Sequence, residues 1–90
     1  MAFFLVSYDA HKVRDYSRFY EAAEKNNGVA LLESLWGFEF NSTAAQVRDW
    51  AKSLFDADDS VVVIELKPGS GWGTSKAAEA AAWLKAKISP

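Results

Sequence analysis

The residues best suited to chemistry lie together near the start of the chain, where Asp9 precedes His11, Lys12, Arg14 and Arg18. A carboxylate is an oxygen ligand of the kind that Mg²⁺ prefers, and basic side chains beside it would contact phosphates. Alternatively, Asp9 is a solvated loop residue or a helix cap, and the basic residues form a solvated face. His11 has no neighbouring partner that argues for general-base work. Asp9 is thus the candidate catalytic and metal-binding residue, with Lys12, Arg14 and Arg18 as candidate nucleic-acid contacts.

Two other segments suggest a calcium site and a phosphate-binding loop, but neither matches the required sequence pattern. Asp56, Asp58 and Asp59 lack the ordered ligand spacing and the terminal glutamate of a calcium-binding hand, which favours a simple turn. The glycine-rich residues 69–73 have no Gly-Lys-Ser/Thr ending, so they do not match a phosphate-binding loop. We expect this stretch to serve instead as a hinge for the tail of the chain.

The composition bounds the class of protein. A chain of 90 residues makes one domain, and half of these residues are hydrophobic, which is more apolar material than one small core absorbs. We therefore expect a partner surface, most simply that of a second copy. The absence of cysteine excludes disulfides, zinc thiolate sites and thiol nucleophiles. A net charge of −2 is not the footprint of a dedicated nucleic-acid binder.

The lengths of the apolar segments also indicate where in the cell the protein is located. Nothing in the sequence approaches the ~20 apolar residues of a membrane span. The apolar run at the start is too short for a signal peptide and has no basic region before it. We therefore expect a cytoplasmic protein without a membrane partner.

The candidate site must be positioned by the element before it, an apolar run that stops at Asp9. The aromatic and β-branched residues of segment 2–9 predict a β-strand, and both of its alternating faces are apolar near the start. A strand with two apolar faces lies in the middle of a sheet that is covered on both sides. The next apolar stripe, over 15–25, has helical spacing and ends at an Asn-Asn-Gly stop signal.

The rest of the chain alternates in the same way. Segment 29–40 predicts a hairpin, with Gly37 as its turn or as a bulge. Thr43 and Gln46 have the spacing of a capping box and predict the start of a second helix. Segment 61–67 predicts the last main strand, and Ser75 is expected to cap an alanine-rich helix that ends near Ile88.

Together these elements predict an α+β fold, a ferredoxin-like βαββαβ sandwich with an antiparallel sheet and a C-terminal helix. Residues 1–67 would form its core, and residues 68–90 a glycine-rich loop and helix within the same domain. The sheet face carrying Phe3 and Leu5 would need either the tail helix or a dimer partner. Trp36 and Phe38 are predicted to lie in the core or in the dimer interface, with base stacking as a weaker alternative. Phe3, Leu5, Trp36 and Phe38 are therefore the candidate interface residues.

The chain resembles the Cas-two-like superfamily in several short segments that occur in the same order. This superfamily includes a small CRISPR-associated adaptation protein, the virulence-associated D toxins and a SinR-like branch. The resemblance is carried by six short segments: Ser-Tyr-Asp at 7–9, Asp-Tyr at 15–16, Phe-Tyr at 19–20, Leu-Glu-Ser-Leu-Trp at 32–36, Asp-Asp-Ser at 58–60 and Ala-Trp-Leu-Lys at 82–85.

This resemblance implies a ferredoxin-like homodimer. In some members the strand-end aspartate is the key residue of a metal-dependent nuclease, which would make Asp9 the ligand for Mg²⁺ in cleavage of RNA or DNA. Other members act structurally, so a non-enzymatic dimeric interaction or scaffold module is the alternative. The chain departs from the CRISPR-associated members in its acidic pI and in an alanine-rich helix where they have a final strand.

Overall fold

The computed structural model describes residues 1–9 and 16–89. It contains an antiparallel four-stranded sheet in the order β2-β3-β1-β4, with three helices. The strands are β1 (Ala2–Asp9), β2 (Val29–Leu32), β3 (Leu35–Phe40) and β4 (Ser60–Leu66), and the helices are α1 (Ser17–Lys25), α2 (Ala44–Lys52) and α3 (Ala78–Lys87). This architecture is compatible with a ferredoxin-like α+β fold and confirms the predicted fold class.

The first strand lies in the interior of the sheet, as its two apolar faces predicted. It pairs with β3 on one side and with β4 on the other, and Asp9 lies opposite Ser60 at its end. Phe4, Val6 and Tyr8 are buried on the face that α1 and α2 cover, which we call the α1/α2 face. The alternate positions lie on the opposite side of the sheet, the α3 face.

The α1/α2 face carries the main hydrophobic core. Phe19 of α1 is fully buried at its centre and makes edge-on contacts with Trp36 and Phe38 of β3, at centroid distances of 5.9 and 6.2 Å. Ala23 is also fully buried, so α1 lies close to the sheet along this stripe. Asn27 then takes a positive φ of 59°, consistent with the Asn-Asn-Gly stop signal that was read from the sequence.

The second helix begins as its capping motif predicted. The Thr43 hydroxyl accepts a hydrogen bond from the Gln46 backbone N–H at 3.2 Å, and the Thr43 N–H donates to the Gln46 side chain at 2.9 Å. The helix ends at Lys52, so the last residues of its predicted apolar stripe fall in the turn that follows. One of them, Phe55, still stacks on Phe19 with the ring centroids 5.3 Å apart.

The prediction for Gly37 was wrong. The hairpin turns at Glu33 and Ser34, and Gly37 lies within β3, where it faces α3. A Cβ at this position would lie 2.8 Å from the Cε2 atom of Trp83, which is closer than real Cβ contacts. Glycine is therefore required here because the Trp83 indole packs directly on the strand backbone.

Helix α3 covers much of the other side of the sheet. Phe3 and Leu5 pack beneath it, and Phe3 meets Trp83 edge-on at 6.3 Å, so the tail helix covers this part of the sheet. The predicted Ser75 cap was wrong, because the helix begins only at Ala78. Its N-cap residue, Ala77, has no side chain that could accept a hydrogen bond.

Coverage of the α3 face is incomplete. Helix α3 lies over β2, at one edge of the sheet, whereas β4 forms the opposite edge. Val62 and Ile64 of β4 are consequently 56% and 52% exposed. No helix within residues 1–9 and 16–89 is long and apolar enough to cross a membrane.

Candidate functional site

A surface pocket of about 750 Å³ lies at the end of β1, and we call it the Asp9 pocket. It is bordered by the last residues of β1, the start of α1 and the β2–β3 turn. Its lining is rich in hydroxyl groups and contains two carboxylates, from Tyr8, Asp9, Tyr16, Ser17, Tyr20, Glu33 and Ser34.

Backbone pairing explains why these distant residues meet. The Tyr8 N–H donates to the Ser34 carbonyl at 3.4 Å, because β3 runs antiparallel to β1 and starts beside the end of β1. The Tyr8 hydroxyl donates to the Glu33 carbonyl at 2.9 Å and so joins the hairpin turn to the strand. Tyr16 and Tyr20 enter from α1, and the Tyr16 ring meets the Tyr8 ring edge-on at 4.9 Å.

The wall of the pocket contains a phenol that is held in its neutral form. Burial raises the pKa of Tyr8 well above its ordinary value, and the interaction with the Tyr20 hydroxyl acts in the same direction. The Trp36 indole has the opposite, smaller effect on this pKa. The Trp36 Nε1–H is buried and has no hydrogen-bonding partner among the described residues. The Tyr8 hydroxyl is therefore protonated at neutral pH, where it donates its hydrogen bond to the Glu33 carbonyl.

The described lining of the Asp9 pocket is negatively charged. Asp9 and Glu33 are both exposed and contribute carboxylates, and none of the lining residues within 1–9 and 16–89 is basic. Carboxylate and hydroxyl oxygens are the donors that hard cations prefer. A phosphate in the same place would be repelled unless a cation lay between it and the carboxylates.

The oxygen donors of the described lining fit a hydrated Mg²⁺ ion. No group of three or more His, Cys, Asp or Glu side chains that could hold a metal occurs in the described part of the chain. Mg²⁺ is often held by one or two carboxylates while it keeps several waters. Asp9 and Glu33 would be the residues that hold it in this pocket.

The structure does not bring Arg18 to the Asp9 pocket. Arg18 projects from α1 to α2 instead, where its guanidinium donates to the Ser53 carbonyl at 3.2 Å, and it does not line the pocket. Lys12 and Arg14, like His11, lie outside the described residues. The predicted nucleic-acid contacts therefore stay predictions for Lys12 and Arg14.

The four candidate interface residues are all used within one chain. Trp36 is 8% exposed and Phe38 fully buried, both in the core under α1 and α2, so these rings have almost no surface for a partner. Phe3 and Leu5 are partly buried under α3. Trp36 and Phe38 thus offer almost no surface to a second copy, whereas Phe3 and Leu5 keep part of theirs and stay predicted interface residues.

Sequence reasoning missed the residues that complete the Asp9 pocket. Glu33 and Ser34 were assigned to strands because the break in the hairpin could not be located from the alternating pattern. Tyr16 and Tyr20 were recognised only as part of the apolar stripe of α1. The predicted order of the strands could have located these residues. If β1 pairs antiparallel with the second strand of the hairpin, the turn before that strand must lie at the end of β1.

Comparison of the chain with protein-family models, with curated proteins and with solved structures found no match. Two features of the molecule itself, the Asp9 pocket and the free edge of β4, are therefore the grounds on which its function is proposed.

Proposed function

We propose that this chain acts as a homodimeric interaction module in which two copies pair along the free edge of β4. The observation that carries this proposal is the exposure of Val62 and Ile64 on an edge strand. Natural proteins protect long apolar edges with charges, proline, bulges or a covering element, because unpaired strands associate. Within β4, from Ser60 to Leu66, the one charged residue is Glu65 near its end.

The sequence of β4 is complementary to itself in one antiparallel register. With a two-fold axis at Val63, each Val62 lies opposite the partner's Ile64, so the exposed side chains cover one another. In the same register Lys67 lies opposite the partner's Asp59, which places opposite charges at both ends of the paired strands. Directly opposed apolar and opposite-charge pairs each contribute roughly 0.2–1 kcal/mol to a sheet. Moving the axis to Val62 or to Ile64 loses the charge pairing.

This arrangement separates the two Asp9 pockets. Asp9 lies opposite Ser60, three residues from the proposed axis, and β1 is one strand away from the dimer edge. With strands about 4.8 Å apart and a rise of about 3.3 Å per residue, the two Asp9 residues would be roughly 25 Å apart. A metal ion shared between them is excluded in this dimer, which favours the non-enzymatic alternative.

The dimer is tested by placing a charge on the β4 edge. Ile64→Lys puts an ammonium opposite the partner's Val62, so we expect the dissociation constant to rise at least tenfold in sedimentation equilibrium. Leu32→Lys is the matched control, since Leu32 is an equally exposed apolar residue on the opposite edge strand. A wild-type chain that is monomeric at micromolar concentration, or equal weakening by both variants, would refute the proposal.

The register is tested separately, because the chain contains no cysteine of its own. Val63→Cys would place two thiols opposite each other at the axis, within the Cα separation that disulfides allow. Val61→Cys is the control, since Val61 shares the same sheet face but lies opposite the partner's Glu65. We expect mild oxidation to give a covalent dimer with Val63→Cys only. Preferential cross-linking of Val61→Cys would show that the register is wrong.

A second candidate function is a Mg²⁺-dependent phosphodiesterase acting on RNA or DNA. It is favoured by the presence of two carboxylates, Asp9 and Glu33, in one pocket of a single chain. A bound Mg²⁺ would supply charge neutralisation at the phosphate and activation of a water molecule. The chain itself would hold the ion through these carboxylates, with Lys12 and Arg14 as the predicted phosphate contacts.

Calorimetric titration with MgCl₂ and MnCl₂, followed by nuclease assays on single-stranded RNA and DNA, tests this second candidate. Asp9→Asn should abolish both metal binding and cleavage. Asp49→Asn, an exposed aspartate on α2 outside the pocket, should change neither. Absence of cleavage with either metal, or an Asp9→Asn variant as active as the parent chain, would eliminate the enzymatic function.

The homodimer agrees with the resemblance to the Cas-two-like superfamily, which supports it only as an analogy. A cytoplasmic location is part of the same proposal, because the chain has no cysteine of the kind that staples small secreted domains. Measuring the distribution of the tagged chain between cell fractions would test this location directly.

A further inference from the structure

A second cavity, of about 370 Å³, lies on the α3 face of the sheet. It is enclosed by the sheet, by α3 and by the glycine-rich loop of residues 69–77, and we call it the leucine cavity. Its volume falls within the roughly 300–1,000 Å³ that small-molecule sites occupy in proteins. The Asp9 pocket lies at the end of β1 and has no lining residue in common with it.

The walls of the leucine cavity are strongly apolar. They are formed by branched aliphatic side chains from all four strands and from the tail, namely Leu5, Leu31, Leu35, Leu66, Leu84 and Ile88. None of the lining residues that the structure describes carries a titratable side chain. An ionised ligand would lose its hydration here without gaining a partner, so the walls select against charge.

Polar groups occur on one side only, in the loop. Ser70, Thr74 and Ser75 contribute hydroxyl groups to the rim, and each hydroxyl can both donate and accept a hydrogen bond. A few placed polar groups facing an otherwise apolar cavity are typical of sites that orient a small molecule. A ligand with one neutral polar end would match this division.

The loop is held at its base and has open space along its length. The Gly69 N–H donates to the Ile88 carbonyl at 2.7 Å and thereby fixes the start of the loop to the end of α3. Beyond that point, Gly71 and Gly73 have no atoms within 4 Å of where a Cβ would lie. Trp72 lines the cavity between these glycines and is 38% exposed. The loop therefore has room for local adjustment at these two glycines.

The cavity exists because α3 presents small side chains to the sheet. Ala77 and Ala80 line it, and neither reaches far enough to fill the space above the leucines. The side chains that line the cavity therefore lack dispersion contacts that larger residues on the helix would have made with them. A ligand that restored these contacts would bind without having to displace any part of the core.

We propose that the leucine cavity binds a neutral, mainly apolar small molecule that carries a single hydrogen-bonding group. The apolar part lies against the leucines beneath α3, and the polar group faces the hydroxyls of the loop. This site does not depend on pairing of β4 and would be present in each copy of the chain.

The probe for this proposal is N-phenyl-1-naphthylamine, a neutral apolar fluorophore with one N–H, titrated into the full chain. We expect saturable binding of one molecule per chain. Ala77→Leu should fill the cavity and weaken binding at least tenfold, whereas Ala82→Leu, the same change on an exposed position of α3, should leave it unchanged. The sulfonated anionic analogue should bind at least tenfold more weakly than the neutral probe.

Two further measurements keep the test valid if Ala77→Leu folds poorly. Leu32→Ala removes an exposed side chain from the rim of the cavity, so the fold should persist while probe affinity falls several-fold. Saturating probe should also raise the urea midpoint of the parent chain, because only the folded state binds it. Failure to saturate, or loss of binding in Ile64→Lys but not in Ala77→Leu, would overturn the proposal.

Discussion

The two faces of one sheet are built in opposite ways. The α1/α2 face is filled with aromatic rings, and Phe4, Phe19 and Phe38 have no exposed surface there. The α3 face is covered by an alanine-rich helix that leaves a cavity of about 370 Å³ and an exposed edge at β4. The comparison shows that close aromatic packing is concentrated on one side of the sheet, while the other side leaves apolar surface exposed.

The difference follows from the side chains of the covering helices. Helices α1 and α2 pack on the sheet with help from large rings, and Phe38 alone contacts Phe19, Phe40 and Trp50. The one aromatic ring on α3 is that of Trp83, and its indole lies on a glycine of β3. Where Trp83 meets Gly37 the helix lies close to the sheet, and small side chains leave space beside this contact. The helix can therefore pack on the sheet and still border a cavity.

The largest effect should come from emptying the aromatic core. Phe38→Ala removes a fully buried ring, and we expect a loss of about 3–5 kcal/mol in the free energy of unfolding. Leu32→Ala on the opposite edge should cost no more than about 0.5 kcal/mol, because Leu32 is 56% exposed. Urea unfolding monitored by circular dichroism measures both. Similar losses would mean that the two faces are not packed differently.

The next effect tests how tightly α3 is docked. Gly37→Ala would push a methyl group into the Trp83 indole, and overpacking of this kind costs about 1–3 kcal/mol in the free energy of unfolding. Gly73→Ala, where a Cβ meets open space, is the matched control and should be close to neutral. If Gly37→Ala is neutral as well, Trp83 moves freely and the helix is docked less firmly than the structure indicates.

A smaller loss is expected at the start of α2, on the well-packed side. Thr43→Ala removes the hydroxyl that accepts the Gln46 N–H, which should cost about 1 kcal/mol in unfolding free energy. Ser42→Ala, one residue earlier and equally exposed, serves as the control. A negligible difference between the two variants in thermal unfolding would show that packing, and not the capping box, determines where α2 begins.

A loss of similar size is expected for the hydrogen bond that ties β1 to the hairpin turn. Tyr8→Phe removes the donor to the Glu33 carbonyl and should cost about 0.5–1.5 kcal/mol near neutral pH.

This variant should also change the response to alkali. Burial raises the pKa of Tyr8 in the folded state above its ordinary 10.0, so between these two values the unfolded chain has lost a proton that the folded chain keeps. The stabilisation is complete below about pH 10 and declines as the pH rises towards the folded-state pKa. Urea unfolding at a series of pH values should show a shallower decline for Tyr8→Phe. Identical slopes in both proteins would contradict the assignment.

Much of the secondary structure could be predicted because its signals are local. The apolar run ending at Asp9, the capping box at Thr43 and the Asn-Asn-Gly stop after α1 each act within a few residues, and all three were placed correctly. The errors occurred where the partner is distant in sequence. Gly37 was assigned to a turn or a bulge because nothing near it indicates that Trp83 will lie on it.

The candidate site shows the same division. Asp9 was found because a carboxylate after an apolar run is visible in the sequence, whereas Glu33 became part of the site through strand pairing. Arg18 was grouped with Asp9 by proximity along the chain, but α1 directs it towards Ser53 of α2. The direction in which such a side chain points depends on how the helix is rotated about its own axis. That rotation depends on which face of the helix packs on the sheet.

The sequence by itself thus determined the order of strands and helices, the central position of β1 and the presence of one carboxylate at its end. These properties follow from the periodicity of apolar residues and from short capping motifs. Tertiary structure alone decided which parts of the sheet are covered. It placed α3 over Phe3 and Leu5 and left Val62 and Ile64 exposed. The reason is that coverage depends on where a helix lands on a sheet, and that position depends on contacts such as Trp83 on Gly37 between residues far apart in the chain.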